Sequence, residues 1–268
     1  MKDRMFSDVV IIGAGLSGIN MACQLQRQLN VDDYVIYDRA AETGGAWAAN
    51  KYPGCGVDIP GVLYSLSWFP NKEISSIFPS QSEILSYIQR LASAYQVPRK
   101  TKLQVEWKGA EWNEGSSTWT VFLLDLRTGG QFVHETKILI SAVGGYTNPK
   151  FPSHLGLEKF KGPVVHTAKW DNKYDLRGLK VAVVGNGCSG SQVVPAILED
   201  AQSVTQFIRV RYLYLFIIEQ SPNPLHQDSA ALCPDDHGKL SSWQFLQEDC
   251  IPIPYCALTS SVADLLDT

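Results

Sequence analysis

Two glycine-rich loops of identical spacing limit the folds that this chain can adopt. Each loop reads G-x-G-x-x-G, follows a short apolar run and precedes a stretch with helical periodicity. In such a strand–loop–helix unit the first glycine permits a tight turn, the second lets a pyrophosphate approach the backbone, and the third lets the helix pack on the strand. The two sets are Gly13, Gly15 and Gly18, and Gly185, Gly187 and Gly190. The sequence therefore predicts an α/β fold with two Rossmann-like dinucleotide-binding units.

The residue that ends the next apolar run differs between the two units. Asp38 follows Tyr34–Tyr37, and a carboxylate there accepts hydrogen bonds from ribose hydroxyls and repels a 2′-phosphate. Arg209 follows Ser203–Ile208, where a guanidinium can bind a 2′-phosphate with two hydrogen bonds. These residues favour FAD or NAD in the first unit and NADPH in the second. The alternative for Arg209 is a solvated cation at a strand end.

The segment between the two units has a different pattern. Short runs of alternating polarity fill residues 103–135 and are separated by glycine-containing turns, which predicts a small antiparallel β-meander inserted into the first domain. Its tryptophans are predicted to cover an apolar face rather than stack on a cofactor. A helix is predicted over 80–95, and a buried strand over 137–144.

Charge and composition narrow the functional classes. A net charge of −4 and a pI near 5.7 argue against a nucleic-acid-binding protein, which usually carries a basic excess. The start of the chain lacks the apolar core of a signal peptide, and Tyr212–Ile218 is too short to cross a bilayer. The six cysteines form no paired C-x-x-C motif, and no metal-ligand spacing is present. We therefore expect a cytoplasmic protein without a metal, a membrane or a nucleic-acid partner; the oligomeric state stays open.

A third motif lies between the two units, at residues 160–171. It has the spacing F-x-G-x-x-x-H-x-x-x-W, formed by Phe160, Gly162, His166 and Trp170 and followed by Asp171. This spacing resembles the fingerprint of Baeyer–Villiger monooxygenases, the class B flavin enzymes that insert an oxygen atom beside a ketone. The alternative is an interdomain linker with a packed tryptophan and a hydrogen-bonded histidine.

Two earlier segments also resemble that family. Gly44–Trp47 is similar to its G-G-x-W segment, and Tyr52–Asp58 to its Y-P-G-x-x-x-D segment. On residues alone the second is a Pro/Gly-rich loop in which Asp58 is a turn former. The resemblance implies that both segments wrap around FAD, that Asp58 lies near the isoalloxazine and orients a catalytic arginine, and that further FAD contacts come from Gly45, Ala46, Trp47, Ile59 and Tyr64.

The resemblance further implies two cofactors and a reaction. NADPH would lie on the second loop, Gly185, Gly187, Ser189 and Gly190, with His166 as a conformational and NADPH-positioning residue. The implied activity is an FAD- and NADPH-dependent monooxygenation that uses O₂ and a ketone, in secondary metabolism. Trp170 favours the Baeyer–Villiger branch over N-oxidising relatives.

The resemblance stops near Arg209. Family members continue Arg-Ser/Thr-Pro-x-Trp, whereas this chain continues Val-Arg-Tyr, and no residue matches the family's catalytic arginine. The expected organisation is an FAD-binding domain over 1–150, a partial NADPH-binding domain over 151–212 and an atypical tail over 213–268. A C-terminal truncation is therefore expected. Three alternatives stay open: an active monooxygenase, a flavin-binding protein or uncoupled NADPH oxidase, and an accessory subunit or gene remnant.

Overall fold

The computed structural model describes residues 5–151 and 156–208, which fall into two units. The first unit contains the described residues up to Lys51 together with Ile59–Asn148. The second contains Tyr52–Asp58 together with the described residues from Pro149 onward. Arg209 and the tail over 213–268 lie outside the described residues.

A six-stranded mixed sheet forms the centre of the first unit. Its strand order is β3-β2-β1-β6-β5-β4, in which the first four strands run parallel and β6, β5 and β4 form the antiparallel meander. The strands are β1 Met5–Ile12, β2 Tyr34–Asp38, β3 Thr101–Leu103, β4 Val105–Asn113, β5 Thr118–Asp125 and β6 Gln131–Ser141. The predicted α/β fold with an antiparallel insertion is confirmed.

Three α-helices accompany this sheet: α1 Leu16–Leu29, the short α2 Ala46–Ala49 and α3 Gln81–Ala94. Helix α3 begins after a capping box, because the Ser80 side chain accepts from the Glu83 amide while the Glu83 carboxylate accepts from the Ser80 amide. A 3₁₀ helix, Val97–Lys100, then leads into β3. Among the described residues, none of the helices combines the length and apolarity needed to span a bilayer.

Both faces of β1 and β2 are covered, which explains their continuous apolar sequences. Successive side chains alternate between the faces. On one face Val10, Ile12, Val35 and Tyr37 form a cluster with the meander residues Val105, Val121 and Leu123, against which Trp119 packs. Val9, Ile11 and Ile36 point to the opposite face and are fully buried with residues of α1 and α3.

The strand prediction over 137–144 was wrong in two respects. The sequence suggested a short meander strand and then a separate buried strand, but the structure has one strand, β6. Its first half pairs antiparallel with β5, and most of its length pairs parallel with β1. The second half is not buried, since Ile138 is 53% exposed and Val143, beyond the strand, is 52% exposed.

The second unit has a two-stranded parallel sheet, β7 Lys180–Val184 and β8 Ser203–Phe207, joined by helix α4 Cys188–Ile197. Val193, Val194 and Ile197 bury one side of α4 against Val181, Val183 and Val204 of the strands. Two 3₁₀ turns, Leu157–Lys159 and Thr167–Lys169, precede β7.

A buried polar chain crosses the first unit between β2, β6 and β1. The Nδ1 atom of His134 lies 2.7 Å from the Tyr37 hydroxyl, and its Nε2 atom lies 3.1 Å from the Ser7 hydroxyl. Burial lowers the pKa of His134 below its ordinary value and raises the pKa of Tyr37 to about 12. Both groups are therefore held neutral near pH 7.

We expect the stability of the first unit to depend on the charge of His134. Its pKa is lower in the folded than in the unfolded state, so the stabilisation is complete above the unfolded pKa of about 6.5 and is lost as the pH falls toward the folded value. Urea unfolding between pH 7.5 and pH 5 should show a falling free energy of unfolding. The variant His134→Gln, which does not titrate, should show a smaller slope; an equal slope would contradict this assignment.

Candidate functional site

The first glycine-rich loop turns between β1 and α1 through direct backbone contacts. A Cβ atom at Gly13 would lie 2.3 Å from the carbonyl oxygen of Ala142, and one at Gly18 would lie 1.9 Å from the carbonyl oxygen of Gly13. Gly13 also has a φ of 110°, a backbone angle that residues with a side chain rarely adopt. Gly15 is the N-cap of α1, so the amides of the first helical turn open at this loop. Helix amides exposed in this way can bind an anion.

Asp38 lies at the carboxyl end of β2, beside this loop. Its Oδ2 atom accepts from the Ala14 amide at 2.6 Å, and its Oδ1 atom accepts from the Ala40 amide at 2.7 Å. These two bonds fix the carboxylate, and each oxygen keeps a further lone pair for a hydroxyl donor. Asp38 therefore both orders the loop and presents an acceptor next to it.

The segment Gly44–Trp47 packs directly on the first loop. The Gly44 amide donates to the Ala14 carbonyl at 2.9 Å, and a Cβ atom at Gly45 would lie 2.7 Å from the Cα of Gly15. Ala46 and Trp47 begin α2 at this point. The structure thus places Gly45 against the loop, with Ala46 and Trp47 directly after it, and their contact with a cofactor stays a prediction.

Tyr64 joins this group through Trp47. The indole Nε1 atom donates to the Tyr64 hydroxyl at 2.8 Å, and the rings meet edge to face with centroids 5.2 Å apart. The Gln81 side chain donates to the Trp47 carbonyl from the start of α3. Sequence reasoning missed Gln81, because a glutamine at a helix start gives no signal of a contact 34 residues away. Ile59 belongs to the first unit and is 41% exposed.

The second loop has the same turn but open surroundings. A Cβ atom at Gly190 would lie 2.6 Å from the Gly185 carbonyl oxygen, so α4 packs on the turn as α1 does on the first. At Gly187, the N-cap of α4, an added Cβ atom would meet no atom of the described residues within 4 Å. Packing within the described residues therefore does not require a glycine at position 187. A pyrophosphate that approaches the backbone would require one. Ser189 lies in the first turn of α4.

The fingerprint residues lie in the second unit and are held locally. His166 caps the turn Thr167–Lys169, with its Nδ1 atom accepting from the Ala168 amide at 3.1 Å, and its ring meets Phe151 at 5.6 Å between centroids. Trp170 packs against the cluster of α4. Asp58 is exposed and also belongs to the second unit. The functional roles inferred for Asp58 and His166 stay predictions.

In the described ranges, no group of three or more His, Cys, Asp or Glu side chains is placed to hold a metal ion. Burial raises the pKa of the Cys23 thiol to about 12 and also raises that of Cys55. Both thiols are free. Raised pKa values make a thiol a poor nucleophile near neutral pH, so neither is a candidate for covalent catalysis.

Comparisons with known proteins identify the family and the relatives of this chain. The sequence pattern of the pyridine nucleotide-disulphide oxidoreductase family matches residues 10–213. An uncharacterised monooxygenase of Sinorhizobium fredii is 44% identical over 203 residues, which are 76% of this chain and 30% of the relative. A Baeyer–Villiger monooxygenase of Pseudomonas aeruginosa is 40% identical over 190 residues, which are 70% of this chain and 35% of the relative.

Among solved structures, the crystal structure of OTEMO in complex with FAD and NADP superposes with a TM-score of 0.66 at 31% identity, over 75% of this chain and 38% of that one. The chain therefore spans about a third of the length of the relatives that it matches. The residues covered include both glycine-rich loops and the fingerprint.

The two loops should respond differently to an added methyl group. Gly18→Ala places a Cβ atom against the Gly13 carbonyl and should lower the free energy of unfolding by about 2 kcal/mol or more, as overpacking does. Gly187→Ala meets no atom of the described chain and should leave stability within about 0.5 kcal/mol of the parent. Urea denaturation of both variants measures the difference. Equal losses would show that the surroundings of Gly187 are closed.

Proposed function

Since the chain belongs to the pyridine nucleotide-disulphide oxidoreductase family, we propose that it is the FAD- and NADPH-binding part of a Baeyer–Villiger monooxygenase. The observation that carries the proposal is the pair of strand–loop–helix turns. The first turn is fixed by Asp38 at the end of β2. The second turn is open at Gly187, the second glycine of its loop.

FAD is proposed for the first loop because of Asp38. A fixed carboxylate with spare lone pairs suits ribose hydroxyls and disfavours a 2′-phosphate. The helix α1 amides suit the pyrophosphate. Gly45, Ala46, Trp47 and Tyr64 surround this loop and are proposed to contact the cofactor, together with Ile59. When bound, the flavin supplies the oxygen chemistry, and the residues of this chain bind, orient and shield it.

NADPH is proposed for the second loop, on Gly185, Gly187, Ser189 and Gly190. The open space at Gly187 and the amides at the start of α4 fit a pyrophosphate. Arg209 is proposed to bind the 2′-phosphate; it lies outside the described residues. A related structure that contains both FAD and NADP supports the two-cofactor assignment.

The finer parts of the function are proposals as well. The domain division is proposed at residue 150, with the NADPH-binding domain over 151–212. Asp58 is proposed to lie near the flavin, and His166 to position NADPH. The substrate class is a ketone, used with O₂ in secondary metabolism, and the compartment is the cytoplasm. Relatives named Baeyer–Villiger monooxygenases support the ketone.

Flavin content tests the first loop. Asp38→Asn replaces one acceptor oxygen by an amide that cannot accept from the Ala14 or Ala40 amide, so the purified variant should retain about tenfold less FAD, the factor that about 1.4 kcal/mol produces. The matched control is Asp33→Asn, because the Asp33 carboxylate also accepts from a backbone amide but lies away from the loop. Unchanged absorbance near the flavin maximum in Asp38→Asn would contradict the ribose contact.

The NADPH oxidised and the product formed, measured together, test the whole proposal. The FAD-loaded protein should oxidise NADPH in proportion to the lactone or ester formed from a panel of ketones. Gly187→Ala should raise the Kd for NADP⁺ about tenfold, since its methyl group occupies the space of the pyrophosphate, while FAD content stays at the parent level. NADPH oxidation that yields only hydrogen peroxide would instead identify an uncoupled oxidase. A colourless protein that does not take up FAD would reject both.

A further inference from the structure

The segment Tyr52–Asp58 leaves the first unit and is built into the second. The chain enters the second unit at Tyr52 and returns to the first at Ile59. Tyr52 is only 7% exposed, and its ring belongs to the core cluster of Val193, Val194 and Ile197 on α4. The segment that carries Asp58 is therefore anchored by a side chain in the core of the second unit.

Hydrogen bonds fix the same segment to one residue of α4. The Tyr52 hydroxyl donates to Gln192 Oε1 at 2.7 Å, and Gln192 Nε2 donates to the Gly56 carbonyl at 3.0 Å. The backbones also touch, because a Cβ atom at Gly54 would lie 2.4 Å from the Gln192 carbonyl oxygen. Both polar ends of the Gln192 side chain are thus used to hold the segment.

The tyrosine hydroxyl is bonded to the helix that begins at the glycine-rich loop. Burial raises the pKa of the Tyr52 hydroxyl to about 12, so the hydroxyl stays protonated near neutral pH and donates to Gln192. Ser189 is the second residue of α4, where amides and hydroxyls are placed to bind an anion. The Tyr52 hydroxyl is therefore bonded to the residue of α4 that also holds Gly56 and that lies two positions beyond Gly190.

This geometry has a thermodynamic consequence for a ligand on the second loop. An anion bound by the first turn of α4 requires that turn to be formed, so any opening of α4 that releases Gln192 also costs binding free energy. When the ligand is bound, the hydrogen bonds of backbone amides that depend on those contacts must therefore break less often. The Cys55 amide is such a reporter, since it donates to the Tyr52 carbonyl at 3.1 Å.

We propose that Tyr52 is a positioning residue that couples a dinucleotide on the Gly185–Gly190 loop to the segment Tyr52–Asp58. The ligand identity rests on the proposed function, but the coupling rests on the contacts of Tyr52, Gly54 and Gly56 with Gln192. Occupancy of the second loop thereby restrains the segment that ends in Asp58.

Hydrogen–deuterium exchange of the full FAD-loaded chain tests this, with NADP⁺ as the probe. In the parent protein, NADP⁺ should slow exchange in peptides over 185–192 and over 52–58. Tyr52→Phe keeps the buried ring and removes the hydroxyl. It should keep the slowing over 185–192, lose that over 52–58, and exchange the ligand-free Cys55 amide about fivefold faster, the factor for one hydrogen bond of ordinary net strength.

The matched control is Tyr34→Phe in the first unit. Tyr34 is buried and its hydroxyl also bonds one glutamine, accepting from Gln26 Nε2 at 2.6 Å. It should leave the NADP⁺ response over 52–58 at the parent value. A second pair addresses Gln192: Gln192→Ala should lose the response, and Gln192→Glu, which keeps an acceptor for the Tyr52 hydroxyl, should retain part of it.

The outcomes separate the coupling from the nucleotide site. Tyr52→Phe could raise the ligand-free exchange over 52–58 and leave unchanged the factor by which NADP⁺ slows that exchange. In that case Tyr52 is a structural residue, and the coupling is overturned while the nucleotide site stands. If NADP⁺ does not slow exchange over 185–192 in the parent protein, the nucleotide site and the coupling both fall.

Discussion

Helix α1 can begin where it does only because residue 18 has no Cβ atom, which would lie 1.9 Å from the Gly13 carbonyl oxygen. This approach turns the open amides of α1 toward the end of β1. The carboxylate of Asp38 then binds the Ala14 amide, and the Ala14 carbonyl accepts from Gly44. The positions of Gly45 and Trp47 follow from that chain of backbone bonds, so the first candidate site depends on one close contact between a helix and a turn.

The two glycine-rich loops show how far one motif can differ in its surroundings. Both helices pack on their turns through the third glycine. Gly15 of the first loop lies against Gly45, whereas a Cβ atom added at Gly187 of the second would meet none of the described residues within 4 Å. The first loop is thus closed on one side by its own chain, whereas the helix that follows the second loop binds Tyr52 through Gln192. The two loops have the same glycine spacing, so the units differ chemically because different residues surround each loop.

Much of the fold was predictable because its signals are local. The apolar runs of β1, β2 and β7, the capping box of α3 and the family fingerprint are all read within a few residues, and the family assignment was confirmed. The continuity of β6 was missed, because its two halves pair with different neighbours and carry different polarity patterns. The second half of β6 was expected to be buried. Burial depends on what covers a strand, however, and Ile138 is exposed.

The sequence by itself determined that this chain builds two dinucleotide-type turns and that an acid follows the first, since glycine spacing and strand ends are local properties of the backbone. Only the tertiary structure decided that Tyr52–Asp58 belongs to the second unit. It also decided that Gln192 uses both ends of its amide to hold that segment. The reason is physical: a hydrogen bond between residues 140 apart leaves no periodicity or spacing in the chain, and it exists only once the helix has packed.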